Sequence, residues 1–223
     1  MRLPECHMFE QRQLRLVAAG LATSGWLAAL LGPWLPWLAP GSAALRFNLL
    51  ELAEWITRLP GIREESLAPS RLQFLALLAG LALLGGLIAG QCLSEPAALR
   101  RLVLAAGAFH ALLIFPGYPF ILDSLSDPVA RSQALLGLGA LAGMAAAFRA
   151  ASRLSPAVVG GGVSALGLAT LALAWGSWRL ASREFATLLP EMGSPGPGLY
   201  LFLSGGLLVT VAGPAAGGGR GRD

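Results

Sequence analysis

Several uninterrupted apolar stretches in this chain are long enough to cross a lipid bilayer. A helix needs about 20 residues to span a hydrocarbon core of roughly 30 Å. The stretches that reach this length are residues 16–38, 72–93, 102–122 and 157–178. Two weaker candidates are 134–151, which ends beside Arg149, and 198–213, which is short enough to be tilted or re-entrant. The sequence predicts an all-α, polytopic membrane bundle of about six transmembrane helices.

The composition agrees with a membrane protein. Hydrophobic residues make up 55% of the chain and charged residues only 13%, and a soluble domain of this size needs more polar surface. All 16 basic residues are Arg, which together with the excess of Ala, Leu and Gly is typical of a GC-rich genome. We therefore expect a multi-pass protein of the cell membrane, with a bacterial inner membrane as its location.

The distribution of Arg predicts the orientation, because cytoplasmic loops collect basic residues close to the ends of spans. With six spans and the N-terminus inside, the cytoplasmic segments hold nine Arg and four acidic residues, whereas the opposite side holds seven Arg and eight acidic residues. Both termini are thus predicted to be cytoplasmic. Trp34, Trp37, Tyr118 and Trp178 then fall at the outer interface, where aromatic side chains are enriched.

The domain organisation is predicted to be simple. Residues 1–213 form one helical bundle, and the Gly-rich tail 214–223 is expected to be disordered. The first apolar stretch exceeds the length of a secretory signal and is interpreted as a retained span. Two long outer loops are expected, at residues 39–71 and 179–197.

The first long loop contains an amphipathic segment, predicted as an outer interfacial helix over residues 47–59. Apolar residues recur at helical spacing, Asn48 is a plausible N-cap, and Glu51 occupies the capping-box position three residues on. Pro60 ends the segment. Such a helix either shields the ends of the spans as a lid or docks a partner, and the sequence leaves both interpretations open.

Two outer segments echo each other, EWITRLP from Glu54 and EFATLLP from Glu184. A second echo pairs GLAT at residues 20–23 with GLAT at 167–170. They indicate either a parallel internal repeat or chance agreement in a low-complexity chain. In both cases the segments lie on one outer surface, for which we predict these docking residues: Glu51, Glu54, Trp55, Arg58, Tyr118, Glu184 and Phe185.

His110 is the only ionisable residue near the middle of a predicted span, and buried polar residues in a bilayer are costly. It is a candidate proton relay or cofactor ligand, and more simply a hydrogen-bond donor between helices. Shortly after it, Pro116 and Pro119 must disrupt the outer half of the span or end it. An outer vestibule near these prolines is the best predicted site.

Small residues on the predicted helices favour close packing between helices. Gly86 and Gly90 form one GxxxG pair, and Gly139 and Gly143 form another. These residues indicate assembly and carry no chemistry.

Catalytic templates are absent from the sequence, which has no HExxH, GxSxG, Walker A or CxxC motif. No catalytic residue, cofactor or metal site is predicted, and no basic-aromatic pattern indicates nucleic acid. The leading hypothesis is a non-catalytic subunit or accessory protein that binds a membrane-protein partner or a second copy of itself. The alternatives are a small permease or channel with a path near His110 and the Pro116–Pro119 break, and a lipid-acting enzyme using Glu54, Glu184 or His110.

Overall fold

The computed structural model describes residues 4–38, 46–58, 71–91, 97–117, 121–122, 126–188 and 194–217. These residues form seven α-helices and no strand, so the prediction of an all-α bundle is confirmed. Tyr118, Pro119 and residues 218–223 of the tail lie outside the described residues. The helices are α1 Pro4–Leu31, α2 Leu49–Trp55, α3 Arg71–Gln91, α4 Ala97–Leu112, α5 Pro128–Ala151, α6 Pro156–Leu188 and α7 Pro197–Gly217.

Five described helices are long and apolar enough to cross a membrane, namely α1, α3, α5, α6 and α7. The predicted third span, 102–122, is instead a helix of 16 residues that ends at Leu112. Two successive turns follow, in which the amides of Ile114 and Phe115 donate to the carbonyls of Ala111 and Leu112. Pro116 comes next and has no N–H to extend the helix.

The short α4 nevertheless brings the chain back across the bundle. Gly86 and Gly90 of α3 lie against Met144 and Ala151 of α5, and because both numbers rise together the two helices are parallel. The chain between them must therefore return from one end of the bundle to the other through α4 and the turns that follow. Counting α4, the consecutive helices from α3 to α7 alternate in direction, as short connections favour.

α3 is the central helix of the bundle. It contacts α1, α2, α4, α5 and α6, and most of its side chains are buried. α1 packs along α7, and α7 packs along α6. Gly25 of α1 and Gly32, just after it, meet Gly205 and Gly198 of α7, and because one number rises while the other falls these helices are antiparallel. The first residues of α1 and the last of α7 therefore lie at the same end of the bundle.

The last two helices are both longer than predicted. α6 has 33 residues, or about 50 Å, and continues beyond Trp178 to Leu188 where a loop was predicted. α7 begins at Pro197, and Pro214 lies inside the helix, so the first residues of the predicted disordered tail are helical. The extension of α6 carries polar residues, including Arg179, Arg183 and Glu184. The span was predicted to end before them because they end the apolar run, although the helix continues.

The end of α1 follows from its sequence. A 3-10 turn over Gly32–Trp34 closes the helix, and Pro33 and Pro36 remove two of the amides that would continue it. The carbonyl of Gly32 accepts hydrogen bonds from the Leu35 amide at 3.2 Å and from the Trp37 indole at 3.0 Å. Trp37 is fully buried, so its predicted place in an interfacial aromatic belt is wrong.

Candidate functional site

A compact cap closes one end of the bundle, and we call this the cap end. Residues 35–38 run through its centre. On one side, the Trp37 amide donates to the Phe47 carbonyl at 2.7 Å, and the Phe47 amide donates to the Leu38 carbonyl at 3.3 Å. On the other side, the Gly196 amide donates to the Trp37 carbonyl at 2.8 Å. The connection out of α1 is therefore held between the entry to α2 and the entry to α7.

Glycine is required where these connections cross. A Cβ atom at Gly198 would collide with the main-chain carbonyl of Leu35, and one at Gly196 would collide with that of Pro36. Main-chain atoms cannot move aside as a flexible side chain can. The segment Ser-Pro-Gly-Pro-Gly, residues 194–198, thus allows the close approach that seals the cap.

α2 begins with the predicted capping box. The side chain of Asn48 accepts from the Glu51 amide at 3.0 Å, and the Glu51 carboxylate accepts from the Asn48 amide at 2.9 Å. The helix is shorter than predicted, at seven residues, and a 3-10 turn Ile56–Arg58 follows it. Its apolar residues Leu49, Leu52 and Ile56 are at most 1% exposed, because they pack into the bundle against α3. The apolar face of α2 is therefore covered by protein.

The opposite face of α2 and of the 3-10 turn after it points outward and carries four of the predicted docking residues. Trp55 is 47% exposed, and the Arg58 guanidinium lies 5.8 Å from the centre of its ring. Glu54 forms an ion pair with Arg71, the first residue of α3. We call Glu51, Glu54, Trp55 and Arg58 the α2 outer face.

Phe47 joins the two echoing segments. Its ring lies 6.1 Å from that of Trp55 and 5.1 Å from that of Phe185, which is buried near the end of α6. The sequence reasoning missed Phe47, although an apolar residue just before an N-cap is a known signal for packing at the start of a helix. Through Phe47 the long extension of α6 braces the short α2.

The two echoing segments differ in secondary structure. EWITRLP contains the end of α2 and a 3-10 turn, whereas Glu184–Leu188 of EFATLLP is the last part of α6. Glu184 is half-buried there, beside the buried Phe185. In the second echo, a Cβ atom at Gly167 would collide with Thr210 of α7, whereas the equivalent Gly20 has open space around it. The two halves of the proposed repeat therefore pack differently.

The predicted packing glycines divide into two groups. Gly86 and Gly90 face α5, and Gly143 faces Leu83 of α3, so that a Cβ atom at any of the three would collide with the partner helix. Gly139 instead points into open space. It shares a GxxxG pattern with Gly143, but it lies on a face of α5 that does not meet α3.

Because α4 ends at Leu112, His110 lies in its last turn. This turn lies beside the end of α1. The side chain is 4% exposed. Its Nδ1 is 2.9 Å from the Ala106 carbonyl of the same helix, and its Nε2 is 3.1 Å from the Leu30 carbonyl of α1. The ring therefore bridges two helices, as the simplest interpretation of this residue predicts.

The described residues offer few groups for catalysis or metal binding. Among them, no three His, Cys, Asp or Glu side chains come close enough together to hold a metal ion. His110 lies on α4, Glu54 on α2 and Glu184 on α6, and Glu54 is paired with Arg71. The chain matches no known protein-family model, no curated protein sequence and no solved structure.

Proposed function

We propose that the protein is a non-catalytic subunit or accessory protein of a membrane complex, and that a membrane-protein partner docks on the α2 outer face. The exposure of Trp55 carries this proposal. If α2 served only as a lid, its buried apolar face would be sufficient to shield the bundle. A half-exposed Trp beside an Arg on the opposite face adds nothing to that shielding. Trp and Arg are enriched among the residues that dominate binding energy in protein interfaces.

The α2 outer face is held rigidly, which favours docking. The capping box fixes the start of the helix, the Glu54–Arg71 ion pair ties its end to α3, and Phe47 supports Trp55 from the inner side. A surface that is already ordered loses little conformational entropy when a partner binds.

The surroundings of His110 support a structural subunit over a permease. Both ring nitrogens contact main-chain carbonyls within the protein, and neither is left for a solute or a cofactor. The helices place their small residues at contacts between helices, as in α3 and α5. Packing surface is therefore abundant, and groups suited to transport or catalysis are scarce.

We place the protein in the cell membrane, most simply a bacterial inner membrane, with the cap end outside and both termini in the cytoplasm. At the opposite end of the bundle lie Arg100, Arg101, Arg149 and Arg153. The cap end holds the acidic residues Glu51, Glu54, Asp127 and Glu184 together with six Arg, at positions 46, 58, 71, 131, 179 and 183. Over the whole sequence, the side that carries the termini in the six-span topology holds nine Arg and the cap side holds seven, and this excess supports the proposed orientation by the positive-inside rule.

The test is purification of the tagged full-length protein from its native membrane in mild detergent, followed by native electrophoresis and mass spectrometry. We expect a stoichiometric partner with the unmodified chain, and its loss with Trp55→Ala or Arg58→Ala. Removing one central interface residue typically costs at least about 2 kcal/mol, or roughly 30-fold in affinity.

Trp175→Ala is the matched control, because Trp175 is also 47% exposed but lies on α6, away from α2. The partner should be retained in this variant. Recovery of a stable monomer without a partner from native membranes would contradict the proposal, as would equal loss of the partner in the Trp55 and Trp175 variants.

A further inference from the structure

The end of the bundle opposite the cap carries arginines from two helices. Two lie near the start of α4 and two lie at the end of α5 and in the turn after it: Arg100, Arg101, Arg149 and Arg153. Arg100 is partly buried, and the other three are exposed. We call these four residues the Arg cluster.

The packing of α4 on α5 brings the four arginines to one level. A Cβ atom at Gly107 of α4 would lie 3.0 Å from the Sδ atom of Met144 of α5. Arg100 precedes Gly107 by two turns, so it lies on the same face of α4, toward α5. Because α4 and α5 are antiparallel, Arg100 is level with Ala151, two turns after Met144. The two arginines of α5 and its turn lie on either side of Ala151 in the sequence.

No described acidic residue balances this charge. None of the four arginines forms an ion pair with an acidic residue in the part of the chain that the structure describes. Glu95 precedes α4 and lies outside the described residues, and counting it leaves four Arg against one Glu, or a net charge of +3. Glu5 and Glu10, at the start of α1, are matched by Arg12 and Arg15 of the same helix. The Arg cluster therefore has an excess of positive charge.

Two members of the cluster lie where a helix disfavours positive charge. Arg100 and Arg101 are the fourth and fifth residues of α4, close to the N-terminus, where the helix dipole is positive. The first turn of α4 contains no acidic residue. The arginines of α4 and α5 also repel one another, because they carry the same charge at the same level. A bound anion offsets both effects.

An exposed apolar stripe of α4 begins beside the Arg cluster. Its members recur at helical spacing and are Leu102, Ala105, Phe109 and Leu112. Leu102 follows Arg101 directly and is 63% exposed. From Leu102 to Leu112 the helix rises about 15 Å, which is half of a hydrocarbon core of roughly 30 Å. The stripe therefore has the length of one leaflet, and the Arg cluster lies at the end where headgroups belong.

We propose that the Arg cluster binds the headgroup of an anionic phospholipid, whose acyl chain lies along the apolar stripe of α4. The guanidinium groups donate to the phosphate oxygens, which match the fork geometry of arginine. The stripe favours a lipid over a free phosphate ion, because a free ion gains nothing from apolar side chains. The positive-inside rule requires arginines beside the spans, but it does not require two helices to bring them together at the end of one stripe.

Lipid-dependent stabilisation of the purified full-length protein in mild detergent tests the proposal. We expect phosphatidylglycerol to raise the melting temperature, because a ligand that binds the folded state stabilises it. Phosphatidylcholine with the same acyl chains, and inorganic phosphate, should raise it much less. No effect of phosphatidylglycerol would overturn the proposal. Equal stabilisation by phosphatidylcholine would overturn it as well, and equal stabilisation by inorganic phosphate would instead indicate a site for a free anion.

The double variant Arg100→Gln, Arg149→Gln removes one member of the cluster from each helix. One Arg close to an anionic lipid surface contributes about fivefold in affinity, so we expect phosphatidylglycerol binding to weaken roughly 25-fold. Titration followed by native mass spectrometry would measure it. The stabilisation by phosphatidylglycerol should disappear in the same variant. Each chain is compared with and without lipid, so a loss of stability caused by the substitutions themselves does not affect the result.

The double variant Arg131→Gln, Arg183→Gln is the matched control, because both residues are exposed and lie at the cap end. It makes the same change in net charge and should bind phosphatidylglycerol as the original chain does. Unchanged binding in the cluster variant, or an equal loss in the control, would overturn the proposal. The cluster and the α2 outer face lie at opposite ends of the bundle, so this result is independent of the docking function proposed for α2.

Discussion

The indole N–H of Trp26 donates a hydrogen bond of 2.8 Å to the main-chain carbonyl of Leu81 and thereby joins α1 to the central helix α3. Trp26 is fully buried, and its ring lies over Gly85, where a Cβ atom would come within 2.7 Å of Cζ2. The contact thus combines a hydrogen bond with the packing of a large aromatic ring against the surface of α3 at Gly85. It links the first helix directly to the centre of the bundle.

Replacing Trp26 should weaken the fold measurably. Trp26→Phe removes an interhelical hydrogen bond worth about 0.5–1.5 kcal/mol and leaves a cavity, so we expect a loss of about 1–3 kcal/mol in the free energy of unfolding. Reversible unfolding in mixed micelles would measure it. Trp175→Phe, at a half-exposed position, is the control and should change stability by less than about 0.5 kcal/mol. Equal effects at the two positions would contradict this account.

The contact between α3 and α5 should not tolerate a methyl group at Gly86. There a Cβ atom would collide with the main-chain carbonyl of Met144, so we expect Gly86→Ala to cost about 1–3 kcal/mol as the helices separate. Gly139→Ala makes the same chemical change in open space and should be neutral or slightly stabilising. Thermal unfolding of the two variants would compare them, and a loss of stability in Gly139→Ala alone would show that the helix faces are assigned wrongly.

The capping box of α2 should control the order of the cap. Asn48→Ala removes the side chain that accepts from the Glu51 amide, and such changes typically cost about 0.5–2 kcal/mol. We expect faster hydrogen exchange across Leu49–Trp55 in this variant, with α3 unaffected. Asn48→Asp keeps an acceptor in the same place and should retain the protection. If hydrogen exchange in α2 were the same in the original chain and in both variants, packing alone would account for the order of the cap, and the capping box would not contribute to it.

The proposed orientation predicts which positions are accessible from outside the cell. Leu188 ends α6 at the cap end, and Ser152 lies in the turn between α5 and α6 at the opposite end. Both are exposed. In a chain with Cys6→Ser and Cys92→Ser, Leu188→Cys should react with an impermeant maleimide on intact cells, and Ser152→Cys should react only after lysis. The reverse pattern would invert the topology, and labelling of both would rule out an odd number of crossings between them.

Local signals in the sequence predicted the local features well. Apolar length identified α3 and α5, and the Asn48–Glu51 spacing identified the capping box, which is present. These features depend on residues close together in the chain, so the sequence alone contains the relevant physics. The same reasoning failed for the end of α6, because polar residues such as Arg179 end an apolar run without ending a helix.

Packing partners depend on residues far apart in the chain, and the sequence reasoning did not identify them. Gly139 and Gly143 belong to one GxxxG pattern, yet only Gly143 meets α3. Trp37 has the character of an interfacial residue, yet it is buried against Phe202 with its indole bonded to Gly32. In each case the sequence pattern indicates which contacts a residue is able to make. Which of these contacts it makes depends on the helix that packs beside it.

His110 shows the division most clearly. The sequence by itself determined that an ionisable ring lies within an apolar helix, and that such a ring needs a partner because unpaired polar groups are costly away from water. Only the tertiary structure decided that both of its nitrogens face carbonyls, since the Leu30 oxygen comes from a helix 80 residues away in the chain. The membrane class of the protein follows from hydrophobicity, which is additive along the sequence. The cap and the contacts of His110 follow from which helix ends meet, and that is decided only when the whole bundle packs.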